Sequence, residues 1–241
     1  MSRREKQREN MLEEIKHLAR QQMREKGTAG LSLNAIAREM DVSAPALYRY
    51  YDSRDALVTT LIYEAFTGLA EALEAAAAEN QDRGPAVRLR AVLLAYRTWA
   101  LEHPTDFELI YGNPIPGYAA PEDLTTPAAQ RGFAVILMIL ADAHASGRLH
   151  YPAEMPAVPE GLSLRMPPGL DLPEMVVHIG VMGWAQIHGM ISLELFHHST
   201  TMLSDPGLFY RHEVDSMLRR FGMEPETGSG AQRKAEPAGS R

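Results

Sequence analysis

Nine histidines, scattered serines, and 31 acidic side chains against 24 basic ones are the groups in this 241-residue chain that could do chemistry. A metal ion held on one helix needs imidazoles three or four residues apart, so that two rings reach it together. His144 and His150, His178 and His188, and His197 and His198 all miss that spacing, and 0 Cys leaves no thiolate to complete a set. No metal is expected. A serine nucleophile on a strained turn would show as Gly-x-Ser-x-Gly, which does not occur. The glycines from Gly180 to Gly189 follow no strand and lack a phosphate-cradling pattern. The expectation is a protein without catalytic residues or a cofactor.

One cluster has a different chemistry. Ser43-Ala44-Pro45-Ala46-Leu47-Tyr48-Arg49-Tyr50 sets small residues beside a Tyr-Arg-Tyr run, with Arg54 close behind. A guanidinium such as Arg49 can donate two parallel hydrogen bonds to guanine O6 and N7. The methyl groups of Ala44 and Ala46 suit thymine methyls, and small residues let a helix sink into the major groove. Tyr48 and Tyr50 offer hydroxyls to phosphates, as do Ser32 and Ser43 beside helix N-termini, and Arg54 adds a cation.

The elements that must position this face read as helices. Met11, Leu12, Ile15, Leu18, Ala19 and Met23 mark one face of a helix over Arg4–Lys26, with Gly27 where a C-cap belongs. Ser32 stands as the N-cap of a short second helix through Leu33, Ile36, Ala37 and Met40. After the tight connection Asp41-Val42, Ser43 caps a third helix with Pro45 in its first turn. Two short helices after a longer one form a helix-turn-helix layout. Leu33, Ile36, Ala37, Val42, Leu47 and Tyr51 would face Ile15, Leu18 and Leu57, leaving Ala44, Pro45, Ala46, Tyr48, Arg49 and Tyr50 outward.

Ser53 begins a fourth helix running to about Glu79, and Pro85 a fifth that stops at His103-Pro104. A short helix over Thr105–Tyr111 precedes a Pro- and Gly-rich loop up to Thr126, then a helix over Pro127–Ser146. Residues 147–172 carry five prolines and no helical period, as a lid or a disordered insertion would. Helices over Glu174–His198 and from Asp205-Pro206 to Gly222 complete an all-α fold of about nine helices. Residues 223–241 read as a disordered tail. Met175–Phe196 is long enough to span a bilayer, but His178, Gln186, His188 and Glu194 would be costly there and no membrane partner is expected.

Charge divides along the same line. The net charge of -7 argues against nucleic acid only while the chain is taken whole. Residues 1–57 hold 11 Lys and Arg against 9 Asp and Glu, a balance of +2, and residues 58–241 a balance of -9. A basic surface on an acidic body is the pattern. The absence of cysteine fits a reducing cytoplasm, and Met1–Asn10 carries no apolar run that would act as a secretion signal.

The run from Gly27 to Ala37, followed by Val42-Ser43-Ala44-Pro45-Ala46-Leu47-Tyr48-Arg49-Tyr50-Tyr51-Asp52-Ser53-Arg54-Asp55-Ala56-Leu57, resembles the DNA-binding domain of TetR-type transcriptional regulators. Tyr51 stands where Phe is more frequent and Arg54 where Lys is usual; both keep a buried aromatic and a phosphate cation. Trp184-Ala185-Gln186-Ile187-His188-Gly189 is similar to a Trp-His-Gly signature in one subgroup of the family's C-terminal domains.

The resemblance implies a DNA-binding domain over 1–57, a ligand-binding and dimerisation domain over 58–222, and a homodimer joined through its last two long helices. On those helices Gly183, Ile187, Ile191, Val214, Leu218 and Phe221 are the expected interface. Tyr96, Trp99, Phe107, Tyr111, Phe133, Leu137, His178, Met182 and Trp184 are the expected wall of a small-molecule pocket. The reading that follows is a cytoplasmic repressor released from a pseudo-palindromic duplex by a small molecule. A helical enzyme or sequestering protein without DNA binding, and an activator on the same fold, are the alternatives.

Overall fold

The computed structural model describes residues 2–154 and 171–224. Among these residues the chain forms nine α-helices and one 3-10 turn: α1 (Arg3–Lys26), the turn Thr28–Gly30, α2 (Leu33–Glu39), α3 (Ala44–Leu47), α4 (Arg54–Glu79), α5 (Pro85–Glu102), α6 (Pro104–Tyr111), α7 (Glu122–Ala145), α8 (Glu174–Leu195) and α9 (Pro206–Arg220). The all-α architecture agrees with the apolar periodicity. Residues 155–170 of the proline-rich segment, and 225–241 of the expected tail, lie outside the described residues. Met223, at the start of that expected tail, is buried in the body core.

Local signals account for most boundaries. Ser2 and Glu5 close a capping box on α1, and Gly27 takes a φ of 73° that a side chain would resist. Ser32, Ser53 and Asp205 each accept a backbone N–H from the first turns of α2, α4 and α9. Ser43 differs from the expectation: it occupies the N-cap of α3, but its hydroxyl makes no capping hydrogen bond. The loop expected up to Thr126 is also shorter, because α7 begins at Glu122 and carries Pro127 inside it. Proline there removes the bond to the carbonyl of Asp123. That residue is exposed, so water can satisfy the oxygen, and Glu122 and Asp123 favour the positive end of the helix dipole.

Two cores organise the bundle. The smaller holds Ile15, Leu18, Leu33, Ile36, Leu47 and Tyr51, closed by Leu57, Val58, Leu61 and Ile62 of α4 and by Leu109 and Ile115. The larger gathers Leu69 and Leu73 of α4 with buried side chains of α5 to α9. Helix α4 therefore belongs to both, with its N-terminal half in the head and its C-terminal half in the body. By length and composition alone α4, α7 and α8 could cross a membrane; in this fold all three pack into the bundle.

Candidate functional site

In the head, α3 is a single regular turn, extended by Tyr48–Tyr50 as a further turn whose N–H groups reach back to Ala44 and Leu47. So short a helix has no stability of its own. Leu47 anchors it at 1% exposure, against Ile15 and Leu57. That anchor turns Ser43, Pro45, Tyr48 and Arg49 to solvent. Ala44, Ala46 and Tyr50, expected fully outward, are half-buried, and Ala44 and Tyr50 lean on the head core. The preceding turn is held by Asp41 at a φ of 54°, a conformation that Asp tolerates better than most residues.

The flanking polar groups fall at the ends of neighbouring helices. Ser32 is half-buried and its hydroxyl accepts the Ala35 N–H at 3.4 Å. Arg54 is the first residue of α4, with only a long contact of 3.7 Å to Asp55, so its guanidinium keeps donors for a phosphate. The face is thus a patch of hydroxyls and two guanidiniums with an apolar floor, the inventory that phosphate positioning and base-edge reading require.

Ion pairs join head to body. Arg20 of α1 donates from Nε to Asp106 of α6 at 2.8 Å and from Nη2 to Glu64 of α4 at 3.3 Å. Lys16 reaches Glu64 at 2.5 Å and Glu13 at 2.6 Å. Burial pulls both cations toward neutrality, but the facing carboxylates prevail and hold both pKa values above the ordinary range. Helix α1 of the head is therefore tied to two helices that reach the body.

In the body, a cavity of about 480 Å³ opens between five helices. Phe66, Leu69 and Leu73 of α4 form one side and Gly132, Phe133 and Ile136 of α7 another. Tyr96, Tyr111, Val181 and Trp184 come from α5, α6 and α8. Behind the wall, His188 lies at the centre of a ring cluster, stacked on Phe107 at 5.3 Å and edge-on to Tyr111 at 4.6 Å. Its Nδ1 is 2.9 Å from the Tyr96 hydroxyl. Burial depresses the His188 pKa and raises those of Tyr96 and Tyr111. Both phenols stay protonated and the imidazole stays neutral, so the cavity floor carries no charge.

Of the nine residues expected to line a pocket, Tyr96, Tyr111, Phe133 and Trp184 do so. Trp99, Phe107 and Leu137 are buried core instead. A Cβ at Gly180 would lie 2.6 Å from Leu137 Cδ2, so Leu137 fills the space between α7 and α8 rather than facing a void. His178 is turned away to Tyr151, with Nδ1 3.3 Å from its hydroxyl, and Met182 only packs beside the core. Phe66, Thr125, Thr126 and Gln130 were not anticipated. The last two stand one turn apart on α7, separated by Pro127, Ala128 and Ala129.

The expected dimer residues need correction. Ile187, Ile191, Val214, Leu218 and Phe221 are all at most 2% exposed within one chain, so they build its own core and offer nothing to a partner. Gly183 faces inward too, its missing Cβ lying 3.3 Å from Met217 Sδ. The large apolar residues that α8 and α9 do present are Val181, Leu193, Leu208 and Phe209. Among the described residues no group of three His, Asp or Glu gathers as metal ligands would.

Known proteins share this arrangement. A family model described as bacterial regulatory proteins, tetR family, matches residues 15–61. A second, described as tetracyclin repressor-like, C-terminal domain, matches residues 89–217. An HTH-type transcriptional regulator of Mycobacterium tuberculosis, Rv1816, is 34% identical over 207 residues, spanning 84% of this chain and 88% of its own. The crystal structure of the regulatory protein SCO4313 superposes with a TM-score of 0.71 at 36% identity, covering 90% of this chain and 100% of that one. A tetR-family regulatory protein from Rhodococcus RHA1 shares the fold, with a TM-score of 0.65 at 19% identity over 88% of this chain and 96% of its own. The head match falls on the helix-turn-helix and the body match on the helices around the cavity: the chain belongs to the TetR family of bacterial transcriptional regulators and is a DNA-binding protein.

Proposed function

We propose that the chain is a homodimeric repressor that releases a pseudo-palindromic operator when a small molecule enters the body cavity. The observation that carries this reading is the double membership of α4. Its first residue is Arg54, beside the exposed Arg49 face, and its later residues Phe66, Leu69 and Leu73 wall the cavity. A ligand that displaces those three side chains acts on the same rigid rod that sets the head. Two heads in successive major grooves must stand about 34–36 Å apart, so a small change of that rod spoils the spacing. A coupling of about 1–3 kcal/mol would alter operator affinity roughly 5- to 150-fold.

The two-fold partner would be a second copy of the chain, met on the exposed stripe of α8 formed by Val181, Ala185, Leu193 and the following Phe196, continued by Leu208 and Phe209 of α9. Gly189 lies on that stripe with open space above it, which lets two backbones approach closely. We assign the protein a regulatory role in the cytoplasm and no catalytic one. Fluorescence anisotropy with the DNA flanking its own gene is the test. Binding at least about 10³-fold tighter than to an unrelated duplex is expected; equal affinity for both would sink the operator reading. Light scattering should give twice the chain mass at micromolar concentration, and a monomer there would remove the α8–α9 seam.

A further inference from the structure

We propose that the body cavity takes an uncharged, ring-bearing organic molecule with one hydrogen-bonding edge, and that Thr126 and Gln130 read that edge. This rests on the reading of the body as a ligand sensor and adds the class of ligand it senses.

Charge complementarity sets the first limit. Among the described residues the cavity lining contains no Lys, Arg, Asp, Glu or His. Two cations on the helices around it are already paired: Arg131 of α7 donates to Glu74 of α4 through both Nε and Nη2, and Arg97 of α5 to Glu194 of α8. A buried ion without a countercharge loses its hydration and regains nothing. An anion meets no donor cation here, inside a body whose balance is already -9. A cation would find ring faces, which attract it, but no carboxylate.

The walls set the second limit. Phe66, Tyr96, Tyr111, Phe133 and Trp184 arrive from five different helices. Phe66 meets Tyr111 edge-on at 5.8 Å and 86°, and Phe133 meets Trp184 at 6.3 Å and 65°. A planar ring can extend both edge-to-face pairs in the offset geometries that aromatic groups prefer. The volume of about 480 Å³ falls within the range of pockets that enclose small molecules.

The polar atoms set the third. The Tyr96 hydroxyl is engaged by His188, and the Thr125 hydroxyl donates to the Pro121 carbonyl at 2.9 Å. Thr126 and Gln130 line the same cavity from successive turns of α7, and their side chains have no hydrogen-bond partner among the described residues. They supply a hydroxyl, an amide N–H and an amide oxygen at one rim, enough to recognise a phenol, ketone or amide on an otherwise apolar ligand.

Three probes with one ring system and different charge test this on the full chain: 2-naphthol, 2-naphthoate and 2-naphthyl-trimethylammonium, read by thermal shift and by tryptophan emission. 2-Naphthol should bind at least about tenfold tighter than either ion. Ala129→Phe, which fills the cavity, should abolish that binding. Gln130→Ala, at the half-buried rim, should weaken 2-naphthol several-fold while leaving 2-methylnaphthalene unchanged; it carries the test by itself if Ala129→Phe fails to fold. Either ion binding as tightly as 2-naphthol, no binding of 2-naphthol, or indifference to Gln130→Ala would overturn the proposal. Operator affinity measured in the same titration scores the sensor reading separately. 2-Naphthol bound with operator affinity unchanged keeps the ligand class and removes release by ligand. Operator release by either charged probe keeps the sensor and overturns the ligand class.

Discussion

The head and the body use the same building material, amphipathic helices around a leucine- and isoleucine-rich core, but place function on opposite sides of it. In the head the core is closed and the proposed reading groups lie outside: Leu47 is buried while Arg49 and Tyr48 are exposed. In the body the proposed binding surface is inside, where rings from five helices stop short of filling the space between them. A variant that changes function should therefore leave stability alone in the head and disturb packing in the body. What prevents two independent proteins is α4, shared by both cores, together with the ion pairs from α1 to Glu64 and Asp106.

The largest effect should come from the body core. Phe107 is 1% exposed and touches Tyr96, Tyr111 and His188, so Phe107→Ala should cost about 3–5 kcal/mol in urea unfolding. Because α4 is continuous, head and body should still unfold in one transition. A head signal that survives after the body has melted would break the shared-rod argument. Next in size is the joint: Asp106→Ala removes a carboxylate only 13% exposed from Arg20 and should cost about 1.5–3 kcal/mol. Loss near zero would mean that Glu64 alone holds the guanidinium.

The head variants sharpen the contrast. Arg49→Ala should change the unfolding free energy by less than about 0.5 kcal/mol, while losing about 1–3 kcal/mol of discrimination at one base pair. An unchanged binding-site logo would demote Arg49 to a phosphate contact. Arg54→Ala should weaken every duplex alike and lower the slope of log affinity against log salt by about one unit. A slope equal to that of the parent protein would take Arg54 off the DNA.

How much of each region could be read from sequence follows the same division. The head is specified by neighbours in the chain: Gly27, Ser32 and Ser53 set helix ends, and the spacing of Leu47 from Tyr51 fixes which side of α3 is left for Arg49. Even there the side-chain periodicity placed Tyr50 too far out, because the last turn of α3 leans on the core. The body depends on which of several apolar stripes turns inward. Helix α8 is apolar on every side, so Ile187 and Ile191 are indistinguishable in sequence from Val181 and Ala185, yet the first pair is core and the second faces out. Phe107 and Tyr111 are likewise one turn apart on α6, and only the packing of that helix against α4 and α5 decides that Tyr111 meets the cavity while Phe107 stays in the core. Pro127 reads as a helix start and is an interior residue, since its exposed first turn tolerates the lost bond.

The smallest expected effect probes the floor of the cavity. The Nδ1 of His188 lies 2.9 Å from the Tyr96 hydroxyl, and burial holds the phenol protonated and the imidazole neutral. The groups packed around the ring are Tyr96 of α5, Phe107 and Tyr111 of α6 and Trp184 of α8, and none can compensate an imidazolium. The folded pKa therefore lies below the ordinary value of 6.5. Between the two values the unfolded chain binds a proton that the folded chain does not, so stability falls as pH drops through 6.5 and levels off below the folded value. His188→Gln removes that linkage. The stability advantage of the parent protein over His188→Gln should narrow as pH is lowered from about 7.5 to about 5. A gap that stays constant would show that the imidazole titrates as it does in the unfolded chain, and that the floor of the cavity is wet. A dry floor is what the body needs and the head does not, because a reading face works in water while a cavity for an uncharged ring works by excluding it.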